Sequence, residues 1–186
     1  METTDTLQTE HNAVLYVLDQ LEQATSAAGG GQPVPADFFT DVGEFFRVFV
    51  DQCHHGKEET VLFPRLSDVR LRQMLEAEHN QGRQLAKAYA AAVDAYVPGD
   101  AASAAAVQRA ASEYATRLRE HIARETDRLL PVVEKELAAD DNDLAEAFER
   151  IETERIGAGT HERLHGMIET LPGRVAPFLA APVASR

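Results

Sequence analysis

Apolar residues recur along this chain at steps of three and four. Between residues 6 and 28 the seam is Leu7, Val14, Leu18 and Leu21. Between 36 and 63 it is Phe39, Val42, Phe46, Phe49, Val50 and Cys53. Between 68 and 97 it is Leu75, Gly82, Ala86, Tyr89, Val93 and Tyr96, and between 100 and 138 it is Val107, Ala111, Tyr114, Leu118, Ile122 and Leu129. This spacing puts each set on one face of an α-helix, and no strand-like alternation competes with it. Three breaks separate the segments: Gly29 to Pro35, Pro64 to Asp68, and Pro98-Gly99-Asp100. Four amphipathic helices with short connections predict an all-α, up-down-up-down four-helix bundle. Asp5 and Gln8 have capping-box spacing at the start of the first helix. Ser67 or Asp68 suits the start of the third, and Asp100 the start of the fourth. Pro131 is expected to kink or end the fourth helix.

The pattern changes after Ala138. An acidic run, Asp140 to Asp143, leads into a shorter helical stretch at about 143–155. Gly157 and Gly159 follow, then a short helix at about 160–170 that Pro172-Gly173 should stop. The remainder, RVAPFLAAPVASR, reads as extended or frayed. Residues 1–138 therefore form the bundle, and 139–186 a helical extension packed on it or flanking it.

Composition narrows the function. The chain has 31 acidic residues against 18 basic ones, a net charge of −13. That excess disfavours nucleic acid and anionic membrane as partners, since both reward basic patches. A single cysteine, Cys53, excludes an internal disulfide framework. No apolar run has the length of a membrane span, and METTDTLQTEH lacks the basic and apolar regions of a signal peptide. A cytoplasmic protein is the expectation. Gly-rich phosphate loops, GxSxG and the dinucleotide fingerprint are absent, so no substrate site of an ordinary enzyme is visible.

The chemistry is carried by a repeat. Glu10-His11-Asn12 recurs as Glu78-His79-Asn80, an offset of 68. His54-x-x-x-Glu58-x-x-x-Leu62-Phe63-Pro64 recurs as His121-x-x-x-Glu125-x-x-x-Leu129-Leu130-Pro131, an offset of 67. The chain thus reads as two helical hairpins, each offering one histidine and then a histidine with a glutamate. Residues i and i+4 share a helix face, so His54 with Glu58 and His121 with Glu125 can reach one centre. His11 and His79 lie on the apolar faces of their own helices. Four histidines and two carboxylates therefore converge on one core. A buried carboxylate without a partner is very costly, and a bound cation is the natural compensation. Mixed nitrogen and oxygen donors suit iron, manganese or zinc.

These residues carry a resemblance. The EHN start and the CHHGKEETVLFP, EHNQGR and HIARETDRLLP blocks resemble the hemerythrin-like HHE cation-binding family over residues 7–135. The resemblance implies a bundle holding a non-haem diiron site. His11, His54, Glu58, His79, His121 and Glu125 would be its metal ligands, with Glu58 and Glu125 bridging two irons beside an oxo or hydroxo group. It also implies binding or reaction of a small molecule: oxygen, peroxide or nitric oxide. The founding oxygen carriers present two histidines on the third helix, whereas here the positions one turn from His79 are Leu75 and Arg83. They also separate the last histidine and carboxylate by one residue more. Both departures favour reaction at an open metal position over reversible carriage, so peroxidase- or oxidase-type activity is left open.

Other assignments compete. His55 with Glu59 rivals His54 with Glu58; the repeat favours the latter, although Lys57 falls inside the apolar arc. His161 and His165, one turn apart but outside the repeat, read as surface or capping residues, and Cys53 as a small core residue. Tyr114 reads as core, or as a donor to a bound oxygen species, and Arg83 as an ion-pair partner near the site or a solvated side chain. Glu76-x-x-His79 and Glu162-x-x-His165 fit a ferritin-like carboxylate site, which would leave His54 and His121 unexplained. Iron storage or sensing, with occupancy read by a protein partner, is the alternative function.

Overall fold

The computed structural model describes residues 1–179, and every regular element among them is helical. The first rod is α1, Glu2–Gly29. The second begins as α2, Ala36–Phe45. It continues through π1 (Phe46–His54), α3 (His55–Lys57), π2 (Glu58–Leu62) and a 3-10 turn, Phe63–Arg65. The third is α4, Val69–Asp94. The fourth joins α5 (Ala101–Arg124), π3 (Glu125–Leu129) and α6 (Leu130–Leu137). α5 packs against both α1 and α4, and the second rod closes the bundle against α4. Tyr89 and Tyr96 fasten that last contact, their hydroxyls donating to the carbonyls of Phe39 at 3.0 Å and Val34 at 2.9 Å.

The helix starts follow the capping residues with one exception. Asp68 accepts from the backbone N–H groups of Arg70 and Leu71, and Asp100 from that of Ser103. The first helix does not use Asp5. It starts at Glu2, because Asp141, far along the chain, accepts from the N–H groups of Glu2 at 2.9 Å and Thr3 at 3.1 Å. A distant carboxylate thus satisfies donors that the start of any helix leaves open, and favours the positive end of its dipole.

Of the two alternatives at Pro131, the fourth rod does not end there. It runs on to Leu137, as the helical segment 100–138 requires, with its α-helical winding interrupted by the π-helical turn Glu125–Leu129 just ahead of the proline. The second rod has the same device: π2 precedes Phe63-Pro64. The expectation at Pro172 is corrected. Beyond α7 (Asp141–Arg150) and π4 (Ile151–Arg155), the last helix does not stop at Pro172. This α8 spans Thr160–Leu179 and contains both Pro172 and Pro177. Its face of Leu164, Ile168, Leu171 and Val175 is buried in the core alongside α1. An internal proline costs about 3 kcal/mol. Four buried aliphatic side chains return roughly 1.5–3 kcal/mol each, so packing outweighs propensity. The tail RVAPFLAAPVASR, expected to be extended or frayed, is helical as far as Leu179; the rest of it, residues 180–186, lies outside the described residues.

The core is divided in two. One apolar cluster takes Val14, Val50, Tyr89 and Ile122 with their neighbours; the other takes Leu7, Val61, Leu75 and Leu129 with theirs. In all four rods the histidines and glutamates of the repeat sit at the boundary between these clusters. A polar slab therefore crosses the bundle, walled by hydrocarbon above and below.

Candidate metal centre

The structure brings His11, His54, Glu58, His79, His121 and Glu125 together in that slab. Each is at most 5% exposed, and both glutamates are wholly buried. A fifth imidazole joins them. His55, 4% exposed, stacks on His79 with ring centroids 3.8 Å apart.

The donor atoms fall into two groups: His11, His54, Glu58 and Glu125, and His55, Glu58, His79 and His121. Both carboxylates span them. Glu58 turns Oε1 toward His54 at 3.8 Å and Oε2 toward His79 at 3.3 Å. Glu125 turns Oε2 toward His11 at 3.2 Å and Oε1 toward His121 at 3.0 Å and His79 at 3.5 Å. Nε2 of His11, His54, His79 and His121, both nitrogens of His55, and all four carboxylate oxygens are buried with no hydrogen-bond partner among the described residues. So many polar atoms without a hydrogen-bond partner in one slab are costly unless protons or cations balance them. Cations accepting those lone pairs answer the whole set, and the donors suit borderline metals.

The hemerythrin HHE cation binding domain model matches residues 2–133. The chain belongs to that family. Searches of curated proteins and of solved structures returned no match. The HHE domain is thus a cation-binding helical bundle, and its cations have a buried His/Glu cluster to occupy.

Around this HHE centre the outer ring nitrogens are held in a regular way. His54 Nδ1 lies 2.8 Å from Glu10, His79 Nδ1 2.8 Å from Glu59, and His121 Nδ1 3.0 Å from Glu78. A carboxylate there fixes the tautomer that leaves Nε2 free for a metal. Each carboxylate is backed by a cation: Glu10 by Lys57, Glu59 by Arg83 at 2.5 Å, and Glu78 by Arg124 at 2.9 Å. The repeat explains the layout. Glu10 and Glu78 are equivalent, as are Lys57 and Arg124, so each hairpin's EHN glutamate anchors the histidine of its own HxxxE motif. The symmetry then fails at two places. Thr126 stands where Glu59 has its equivalent and lies 3.5 Å from His11 Nδ1, and Ile122 stands where His55 has its own. One donor group consequently has two histidines and the other three.

Electrostatics follow from that packing. Burial opposes charge on His54, His79 and His121, yet facing carboxylates overcome it and raise all three, His121 to about 9. Burial favours protonation of Glu125, but His121, His11 and His79 hold it well below the usual carboxylate range. Glu10 is likewise pushed to about 2 by His54 and Lys57 against its burial. His55 goes the other way: burial and the neighbouring His79 hold it well below the ordinary imidazole value, and hence neutral. The facing carboxylates thus favour protons on His54, His79 and His121, and a metal would compete with those protons.

His54 and His55 both place ring nitrogens in the slab with Glu58, whereas Glu59 faces the outer nitrogen of His79. The signal was the adjacent His54-His55 pair in a segment whose i→i+5 winding departs from the ideal wheel. The same departure explains Lys57, which is wholly buried. Leu75 belongs to the lower apolar cluster. Arg83 pairs with Asp51 at 2.6 Å as well as with Glu59. Glu76 pairs with Arg72 on the surface and Glu162 is exposed, so no ferritin-like set forms. Tyr114 packs on Phe46 with ring centroids 4.3 Å apart. His161 and His165 pack on Phe49, with His161 near Glu10 and Glu152, both of which Lys57 bonds. Burial raises the Cys53 thiol to about 12, which makes it an inert core group.

Proposed function

We propose that this chain holds two iron ions in the slab and binds or reacts with a small molecule there: oxygen, peroxide or nitric oxide. The observation that carries the reading is the pair of donor groups that share Glu58, with Glu125 of one group also facing His79 and His121 of the other, and with no hydrogen-bond partner on the inward atoms among the described residues. His11 and His54 would hold one ion, His55, His79 and His121 the other, and the two glutamates both. Manganese or zinc fits the same donors. When bound, iron supplies the redox chemistry. The protein's own share is position and exclusion. Glu10, Glu59 and Glu78 fix the rings, the apolar clusters keep water out, and the carboxylates balance the cation charge. The group of His11 and His54 has two imidazoles against three in the other, so it is where a small molecule would find room. No helix among the described residues is long and apolar enough to cross a membrane, and a cytoplasmic setting completes the proposal.

A sensing reading has one observation of its own. Glu152, on the C-terminal arm, bonds Lys57 at 2.5 Å, and Lys57 bonds Glu10, the anchor of His54. The arm is thereby tied to the centre, as a device that reports occupancy to a partner requires.

The test is the absorption spectrum of anaerobic, reduced, iron-loaded protein as oxygen is admitted and withdrawn. The expected result is two irons per chain and a new charge-transfer band with oxygen. A band that vanishes on withdrawal means carriage or sensing, and one that persists means oxygen is consumed. Two irons per chain with no spectral response to oxygen, peroxide or nitric oxide would overturn the proposal.

A further inference from the structure

A groove of about 630 Å³ runs between the second rod and α4, within the size range of small-molecule sites. Its walls are mainly apolar, from Phe39, Phe46, Tyr89, Val93 and Tyr114. At one end it stops at His55, which is buried and has no hydrogen-bond partner on either nitrogen. The nearest polar atom of Asp51 is 3.7 Å from His55 Nδ1, and Asp51 is engaged instead by Arg83 at 2.6 Å. His55 therefore differs from His54, His79 and His121, each of which has a carboxylate against its outer nitrogen. Whichever nitrogen serves the metal centre, the other remains free.

Gly82 lines the same groove. Glycine inside a helix costs stability relative to alanine, and packing gives no reason for it here. A Cβ at Gly82 would meet nothing within 4 Å, and its φ is not positive. What the missing side chain leaves is open space. Ala86 and Ala90 continue that wall one and two turns on. The remaining feature is charge. Arg47 and Lys87 line the groove, are exposed, and have no ion-pair partner among the described residues. The groove's carboxylates offset only part of this: Glu44 is paired with Arg163 and Asp51 with Arg83, while Asp94 at the far end is exposed. The unpaired charge around the groove is therefore net positive in a chain whose net charge is −13, which complements an acid with an apolar body.

We propose that this groove binds a small amphipathic carboxylate. Arg47 and Lys87 hold the acid, and the hydrocarbon lies between the aromatic wall and the Gly82–Ala86–Ala90 face, reaching toward His55. The molecule would be presented to the wall of the metal centre. Binding depends on the groove alone, so it can fail while the metal reading stands, and the reverse.

The probe is 11-(dansylamino)undecanoic acid, titrated into metal-loaded protein and followed by its emission. The chain has no tryptophan to interfere. Saturable, blue-shifted binding is expected, displaced by dodecanoate at concentrations at least tenfold below those needed with dodecyltrimethylammonium. Gly82→Phe should weaken the probe at least tenfold, and Gly82→Ala much less. The surface pair Arg47→Gln/Lys87→Gln should remove the preference for dodecanoate over 1-dodecanol. Three results overturn the proposal: no saturable binding, parental affinity in a folded Gly82→Phe variant, or an unchanged acid preference in the double variant. The double variant decides the matter if Gly82→Phe fails to fold.

Discussion

Lys57→Met isolates the contact between the C-terminal arm and the metal centre. The Lys57 ammonium is wholly buried, touching Glu10 on α1 and Glu152 on π4, and lies 5.4 Å from the Phe148 ring centroid. Burial opposes its charge, but Glu10 more than offsets this and raises its pKa. Methionine keeps a long apolar stem and deletes the charge. Glu10, 4% exposed, is left with His54 alone. Removing one member of a buried pair costs about 3–5 kcal/mol. The surviving His54 contact places this case near the lower end, about 3 kcal/mol. A chain of 186 residues has an unfolding entropy of about 0.4 kcal/mol/K, so the melting temperature should fall by about 8 °C. Affinity at the His54 position should fall by roughly 10–100-fold, since the anchor of a ligand ring has moved. The assay is calorimetric melting of metal-free and metal-loaded protein, with a chelator competition beside it. Adding Glu10→Gln supplies the control. It removes the stranded charge and should recover most of the lost stability, while the affinity stays low because the anchoring carboxylate is gone. Parental melting and parental affinity in Lys57→Met would refute the argument.

Three further outcomes follow from the same geometry. Glu58→Ala should lose both ions on dialysis, because its two oxygens face different donor groups, whereas His55→Ala should lose only one; equal metal content in the two variants would remove the assignment. Proton and metal should compete at His121, whose folded pKa is raised to about 9. The protonated ring stabilises the metal-free fold fully below its ordinary value of about 6.5, and that contribution is lost as pH rises through about 9. The rise in melting temperature on adding metal should therefore grow over that interval, and a constant rise would contradict it. Gly82→Ala should stabilise the protein by about 1 kcal/mol, or about 2–3 °C, since the methyl group meets nothing and the helix gains a better former; a loss of stability would show that the glycine is structural.

The sequence by itself determined the four rods, the cap at Asp100 and the choice of Ser67 or Asp68 at the third helix, and the convergence of His11, His54, Glu58, His79, His121 and Glu125. Those readings rest on local rules: a period near 3.6, an i to i+4 step, and a repeat that places equivalent side chains at equivalent heights. Tertiary structure decided the rest. It opened α1 at Glu2, because the capping carboxylate comes from Asp141 on the far side of the chain. It carried α8 through two prolines, because α1 buries the face that a short helix would expose. It admitted His55 beside His54, because π-helical winding shifts which residues share a face. And it assigned Glu10, Glu59 and Glu78 to the outer nitrogens of His54, His79 and His121. A glutamate next to a histidine in sequence reads the same whether it faces solvent or a ring on the neighbouring helix; only the packing of the rods distinguishes the two.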